Sequence, residues 1–555
     1  MNFIRSCLVT LSVFVLLGCN VPTSVIDTNT RNLFDQQSYL THVKTLASDE
    51  FGGRAPATPG GELTVSYLED NFKALGLEPV FGSDGFRQPV SLMVISTDEN
   101  TSLELTTSSA VKTTLAYKDE MIAWTRRPVA QASISDSELV FVGYGVVAPE
   151  YNWNDYAGLD MQGKTAVILV NDPGYLSGDE NFFNGKAMTY YGRWTYKFEE
   201  AARQGAAGAI VIHQTGAAGY PWGVVSGSWS GPQYHLLDAG DVPLAQVEGW
   251  ITEASAKNLF ANAGLDFATL AEQAGKPGFN PRSLKTSASI TLDNVIEQSE
   301  SYNVGAILPG SKNPDEYFIY TGHWDHLGTD QSNTEGDNIY NGAVDNATGT
   351  AALLELARVF ASQPQRPERS LIFLAVTAEE SGLLGSAAYV ENPPVPLNKT
   401  VAGINMDGMS VYGASNDVVV IGWDASDLQD YLTRAAATQD RVLVREPTPE
   451  KGFFYRSDHF NFAKKGVPMM YAEAGNDIRG KGSEWGKQQQ ADYTANRYHK
   501  PGDEYDDSWD VSGILQDLEM NYLLAQEILN SDDWPEWRPG NEFRKIREQS
   551  LATGP

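Results

Sequence analysis

The sequence predicts an α/β protein: a mainly parallel-sheet body with a smaller, β-rich α/β unit inserted ahead of most of it. Three observations carry that expectation. From about Tyr302 onward, apolar runs (EYFIYTG, LIFLAV, VAGINMD, DVVVIG, VPMMYAEA) alternate with stretches whose apolar residues recur at helical spacing, Leu353, Leu356, Ala357 and Phe360, then Leu428, Tyr431, Leu432 and Ala435. Alternation of this kind builds a parallel sheet covered by helices. Between about 138 and 290 the pattern changes to a self-contained run of short strands and a helix. The third observation is size: 555 residues, 42% of them hydrophobic, exceed what one core holds.

In chain order, the first nineteen residues hold both cysteines, Cys7 and Cys19, with Arg5 near the start and an apolar run from Leu8 to Leu17. LLGC at 16–19 resembles a bacterial lipoprotein signal, so 1–19 is expected to be the signal segment, with Cys19 lipidated as the first mature residue. The apolar run is too short for a comfortable membrane span. Residues 20–34, rich in Thr, Asn and Asp, read as a tether. The stretch 35–137 is expected to be the N-terminal part of the main body. It starts with a helix carrying Leu40, Val43 and Leu46; after FGGRAPATPGG a second helix carries Leu68, Phe72 and Leu75 and is closed by Gly76. Strands follow from about 88 to 125. A last helix around Ile514, Leu518 and Tyr522 closes the body at about 531, and the charged tail 532–555 is expected to be loosely held.

Charge excludes one class of function. Asp and Glu number 71 against 40 Lys and Arg, a formal charge of −31. Such a chain repels phosphate backbones, so no nucleic-acid partner is expected.

The chemistry-bearing residues arrive in five segments. TGHWDHLG brings His323, GAVDNATG Asp345, TAEES Glu379 and Glu380, NMDG Asp407, and RYHKPGD His499. Most sit at or just after the ends of apolar strands, the crevice side of an open α/β sheet. Burying so many carboxylates without a cation is expensive. Imidazole and carboxylate are the ligand types of a catalytic zinc site, and a carboxylate left over beside them suits a general base. Asp325, two residues past His323, is expected to orient that imidazole through its ring N–H. His326 and His459 read as structural or pocket-wall residues.

Two resemblances follow from these motifs. LVFVGYGV, PEYNWNDYAGLDMQGK, TAVILV and KFEEAARQGAAGAIVIH resemble a protease-associated domain, expected over 138–290 and without chemistry of its own; Lys197, Glu199 and His213 there read as solvated or structural. The aromatic loops 182–198 and 219–235 leave open whether they line a pocket or form a core or a seam. HWD, VDN, AEE, MDG and YHKPGD, over about 300–531, resemble the co-catalytic zinc exopeptidases that include leucyl-type aminopeptidases, glutamate carboxypeptidase and the transferrin receptor. The resemblance implies two Zn²⁺ ions, His323 and Asp407 on one, Glu380 and His499 on the other, Asp345 bridging, and Glu379 as general base. It also implies a cis Asp345–Asn346 peptide, and places Arg456, Ser457 and Asp458 of YRSDHF near the site. The expected activity is that of an aminopeptidase acting on peptides at a bacterial envelope. A carboxypeptidase or dipeptidase would need basic groups for a substrate carboxylate, for which Arg54, Arg456, Arg497 and Lys500 are candidates. A receptor-like binding protein is the non-enzymatic alternative.

Overall fold

The computed structural model describes residues 33–82, 85–237, 243–330, 333 and 336–552. The lipoprotein-signal and Cys19 expectations therefore lie outside the described residues. Among those described, no helix is long and apolar enough to cross a membrane.

The main sheet is ordered around the strand Asn313–His323, which runs parallel to Arg369–Val376 on one side and to Thr400–Asn405 on the other. Beyond Thr400–Asn405 lies Met469–Ala474, also parallel, and then Asp417–Ile421 and Val442–Arg445. Arg369–Val376 and Thr400–Asn405 are buried along their full length, as a strand covered on both faces must be. One face packs on Thr348–Ser362 and Ser512–Leu529, joined by the N-terminal helices Gln36–Leu46 and Pro59–Ala74. Tyr39, Leu68, Phe72, Leu353, Phe360, Phe373, Leu524 and Ile528 meet in this core. The opposite face is covered by Leu384–Glu391 and His459–Lys464 through Tyr389, Val390 and Phe462.

The second body is larger than the sequence pattern suggested. Its sheet uses Ser102–Thr107, Lys112–Ala116, Met121–Trp124 and Gln131–Phe141 as well as Thr165–Leu169, Gly208–His213 and Val247–Thr252. Leu103, Leu105, Leu115 and Met121 share a core with Leu169, Ile212 and Phe260. The expected start at 138 thus moves back to about 100: alternating Thr and Leu mark strands but do not say which sheet they join. A single 27-residue strand, Arg282–Leu308, links the bodies. Up to Asp293 it pairs with 131–141 and 104–107, and from Asn294 with 87–97 and then 371–375.

The aromatic loops resolve into core and seam. Phe183 stacks on Tyr151 at 4.1 Å inside the second body, and Trp229 stacks on Trp124 at 5.0 Å. Tyr190 reaches across to Phe460 of the main body at 5.1 Å, beside a Lys464–Glu199 ion pair of 3.2 Å.

The C-terminal tail is docked, contrary to expectation. Trp537 and Phe543 are 1% and 2% exposed; the Trp537 indole donates to Gly466 O at 2.9 Å, and Arg547 donates to Thr400 O at 2.8 Å. Two aromatics and a satisfied arginine outweigh the segment's overall polarity, since each buried large apolar side chain contributes about 1.5–3 kcal/mol.

Candidate metal centre

Three adjacent strand ends deliver most of the site. His323 is the last residue of the central strand; Glu379 and Glu380 follow the strand ending at Val376, and Asp407 follows the one ending at Asn405. Asp345 comes from the turn Ala343–Ala347 just before the helix Thr348–Ser362, and its peptide bond to Asn346 is cis. Asn346 ties this turn to the strand ends. Its side-chain amide donates to Met406 O at 3.0 Å, and its oxygen accepts from Gly349 N at 2.9 Å and Gly408 N at 3.1 Å.

The side chains converge pairwise. His323 Nε2 lies 3.1 Å from Asp407 Oδ1 and 3.3 Å from Asp345 Oδ1. His499 Nε2 lies 3.1 Å from Glu380 Oε2 and 3.3 Å from Asp345 Oδ2. Asp345 therefore presents one oxygen to each imidazole. Donor atoms sharing a tetrahedral zinc with bonds of about 2.0–2.1 Å stand about 3.3 Å apart, so both groups have the spacing of a ligand set. A Glu379 oxygen lies within 4.8 Å of donor atoms of His323 and Glu380, as part of a further potential ligand group.

Electrostatics agree with a missing cation. Burial disfavours a charged His323, yet Asp407, Glu379 and Asp345 raise it well above the usual histidine range. His499 is pushed up to about 10, against burial, by Glu380 and Asp345. Glu379, buried and with Asp407, Glu380 and Asp458 around it, is held well above the usual carboxylate range despite His323. Imidazoles shifted in this way are groups that would give up a proton to a metal.

The supporting contacts differ from expectation in part. The His323 ring nitrogen Nδ1 is 3.1 Å from the main-chain oxygen of Asp325, whereas the Asp325 carboxylate is 3.8 Å away, too far for a hydrogen bond. That carboxylate instead accepts from Glu379 N at 3.1 Å. Asp325 thus orients His323 through its backbone and the Glu379 segment through its side chain. Arg54, one candidate for a substrate carboxylate, is buried and donates to the carbonyls of Leu46, Trp324, Asn341 and Gly342. It braces the Asp345 turn instead. His459 is fully buried among Phe454 and Tyr471, with neither ring nitrogen bonded.

For three residues the sequence did not give the partners: Ser457, placed near the site, His326, read as structural or pocket-wall, and Asp503, which was not singled out. Ser457 Oγ donates to Asp407 Oδ2 at 2.6 Å and accepts from Asn405 at 2.7 Å. The Asp503 carboxylate accepts from Val344 N at 3.0 Å and Asp345 N at 3.1 Å, fixing the turn from the opposite side. His326, read as pocket wall, is bonded to Glu380. All three lie inside the motifs that located the site, but their partners come from elsewhere in the chain and leave no local pattern.

A strand-end cluster of imidazoles and carboxylates on an α/β sheet defines the class: an α/β fold with a candidate metal centre at the sheet's crevice end. Residues 303–523 match the model of Peptidase family M28. Mouse aminopeptidase NAALADL1 (Mus musculus) is 37% identical over 139 residues, which is 24% of this chain and 17% of the relative. A probable zinc metalloprotease of Pyricularia oryzae is 38% identical over 117 residues, 21% of this chain and 20% of the relative. The matched stretches thus span about a fifth of these relatives' own length. Among solved structures, the aminopeptidase from Aneurinibacillus sp. strain AM-1 shares the fold over 92% of this chain and 97% of that one, with a TM-score of 0.52 and 21% identity.

Proposed function

We propose that this protein is a zinc-dependent exopeptidase that removes amino-terminal residues from peptides at a two-metal centre. One observation carries the reading: the two oxygens of Asp345 each face a different imidazole at 3.3 Å, with an acidic partner completing each side. In this reading His323 and Asp407 hold one ion, Glu380 and His499 the other, and Asp345 bridges them. Two such ions would polarise the scissile carbonyl and lower the pKa of a water between them. Glu379 is the group that would take a proton from the attacking water and pass it to the leaving amine. Its adjacency to Glu380 would put it in reach.

The choice of substrate end follows from which cations are free. Arg54 is spent on four carbonyls. Arg497 pairs with Asp492 at 3.1 Å, and Lys500 donates to Ala495 O. Of the four candidates Arg456 alone remains, resting over the Phe453 ring at 5.0 Å. A centre rich in carboxylates in a chain of charge −31 suits a substrate ammonium better than a substrate carboxylate. The expected products are a free amino acid and a shortened peptide. One peptide offered with its amino terminus acetylated, or its carboxyl terminus amidated, tests this: acetylation abolishes cleavage and amidation does not, and the reverse pattern would make the protein a carboxypeptidase. A lipid anchor on Cys19 holding the enzyme at the cell envelope remains part of the same reading; radiolabelled palmitate incorporation that survives Cys19→Ala would exclude it.

A further inference from the structure

His326 lies three residues past His323, and its ring nitrogen also falls within 4.8 Å of donor atoms of Asp345 and Glu380, yet its contact with Glu380 is closer than those of the other two imidazoles. Its Nδ1 is 2.6 Å from Glu380 Oε1, and the side chains are 0% and 7% exposed. That is a short hydrogen bond, whereas two donors on one zinc stand about 3.3 Å apart. An ionised carboxylate only accepts, so Nδ1 carries the proton. The other oxygen of Glu380 points away, to 3.1 Å from His499 Nε2. The two oxygens of Glu380 thus face different tasks.

The imidazole is also held against turning. Gly342 packs directly on it: a β-carbon there would lie 2.5 Å from His326 Cγ and 2.6 Å from Cδ2. Gly342 has φ 53°, and its carbonyl is fixed by Arg54 at 2.8 Å. The second ring nitrogen of His326, Nε2, is buried without a partner. Leaving that nitrogen unsatisfied costs about 1–3 kcal/mol, so the ring is placed for its Nδ1 contact rather than for general polar packing.

We propose that His326 is a positioning residue: its Nδ1–H occupies Glu380 Oε1, so that Glu380 offers only Oε2 to the metal position it shares with His499. This rests on the two-metal reading above. Without the donor, Glu380 would be free to rotate or to offer both oxygens. Groups that fix a ligand in this way contribute about 10–100-fold in metal affinity.

The test is a stepwise calorimetric zinc titration of metal-free protein, wild type against three variants, with thermal melting of each metal-free form as a check on folding. His326→Asn keeps a donor where Nδ1 lies; His326→Leu and His326→Phe keep bulk without it. One of the two zinc affinities is expected to fall about 10–100-fold in His326→Leu and His326→Phe, the other to stay within a few-fold, and His326→Asn to recover most of the loss. Unchanged affinities in the folded Leu or Phe variants would overturn the proposal. So would an equal loss in all three, Asn included, because that pattern marks His326 as a ligand or as packing. If wild type binds no zinc, the two-metal reading fails instead, and the comparison among variants shows it by having no baseline.

Discussion

Two clusters of buried charge, one in each body, resolve the same problem differently. In the second body Lys197 is fully buried beside Asp155 and Asp172. Its ammonium donates to the carbonyls of Tyr144 and Tyr191. Asp155 accepts from Val146 N and the Trp153 indole, and Asp172 from Gly174 N and from the backbone and hydroxyl of Thr189. That cluster contains its own basic group and meets its hydrogen-bonding needs from nearby backbone and side chains. At the sheet end of the main body, Asp325, Asp345, Glu379, Glu380 and Asp407 face His323, His326 and His499, and the guanidinium of Arg54 donates to carbonyls. The first arrangement is complete and structural. On the two-metal reading, the second would be completed by cations from outside, and that difference is what the reading rests on.

The largest expected effect sharpens this contrast by removing the borrowed charge. Dialysis against a strong chelator should abolish peptide hydrolysis, and zinc should restore it; activity that persists at full rate in metal-free protein would break the comparison. Next, Glu379→Gln should lower kcat by at least ~10²-fold, the lower end of general-base contributions, while zinc content measured by atomic emission stays at the wild-type value. Near-normal turnover would remove Glu379 from its role.

The opposite experiment targets the self-contained cluster. Lys197→Met leaves Asp155 and Asp172 buried without their cation and should destabilise the fold by about 3 kcal/mol, read from denaturant midpoints. Zinc content and kcat of the folded fraction should be unchanged. A variant that melted like wild type but lost zinc would mean that the two clusters are coupled.

A smaller effect is expected with pH. In metal-free protein His499 has a pKa raised to about 10, from an unfolded value of about 6.5. Its contribution to stability is therefore fully present below about 6.5 and fades as pH rises through about 10. Zinc replaces that proton, so its affinity rises over the same window. The gap in Tm between zinc-loaded and metal-free protein should widen from pH 6.5 to 10; a gap that narrows would contradict the assignment of His499. His499 side-chain exposure is 36%, so solvent screening keeps the shift modest.

Much of this was legible in the sequence, for identifiable reasons. Strand–helix alternation after Tyr302 gave the parallel sheet, and polar residues at the ends of LIFLAV and VAGINMD stood out because apolar strands exclude them. The start of the second body was not legible, because Ser102–Thr107 and Gln131–Phe141 alternate as strands of either sheet would. The tail was misjudged because composition averages over a segment, whereas Trp537, Phe543 and Arg547 act singly. Contacts between distant segments, such as Ser457 with Asp407, Asp503 with the Asp345 turn and Arg54 with Gly342, have no periodicity to betray them. The same holds for Asp325, whose carboxylate turned out to serve Glu379 rather than His323.

The central claim is that the main-body cluster is a two-metal centre. Titrating metal-free protein with zinc while following both bound metal and hydrolysis of an unblocked peptide tests it most directly. The account predicts saturation at two equivalents per chain, with full activity reached only as the second is bound; saturation at one equivalent with full activity, or no binding at all, would contradict it.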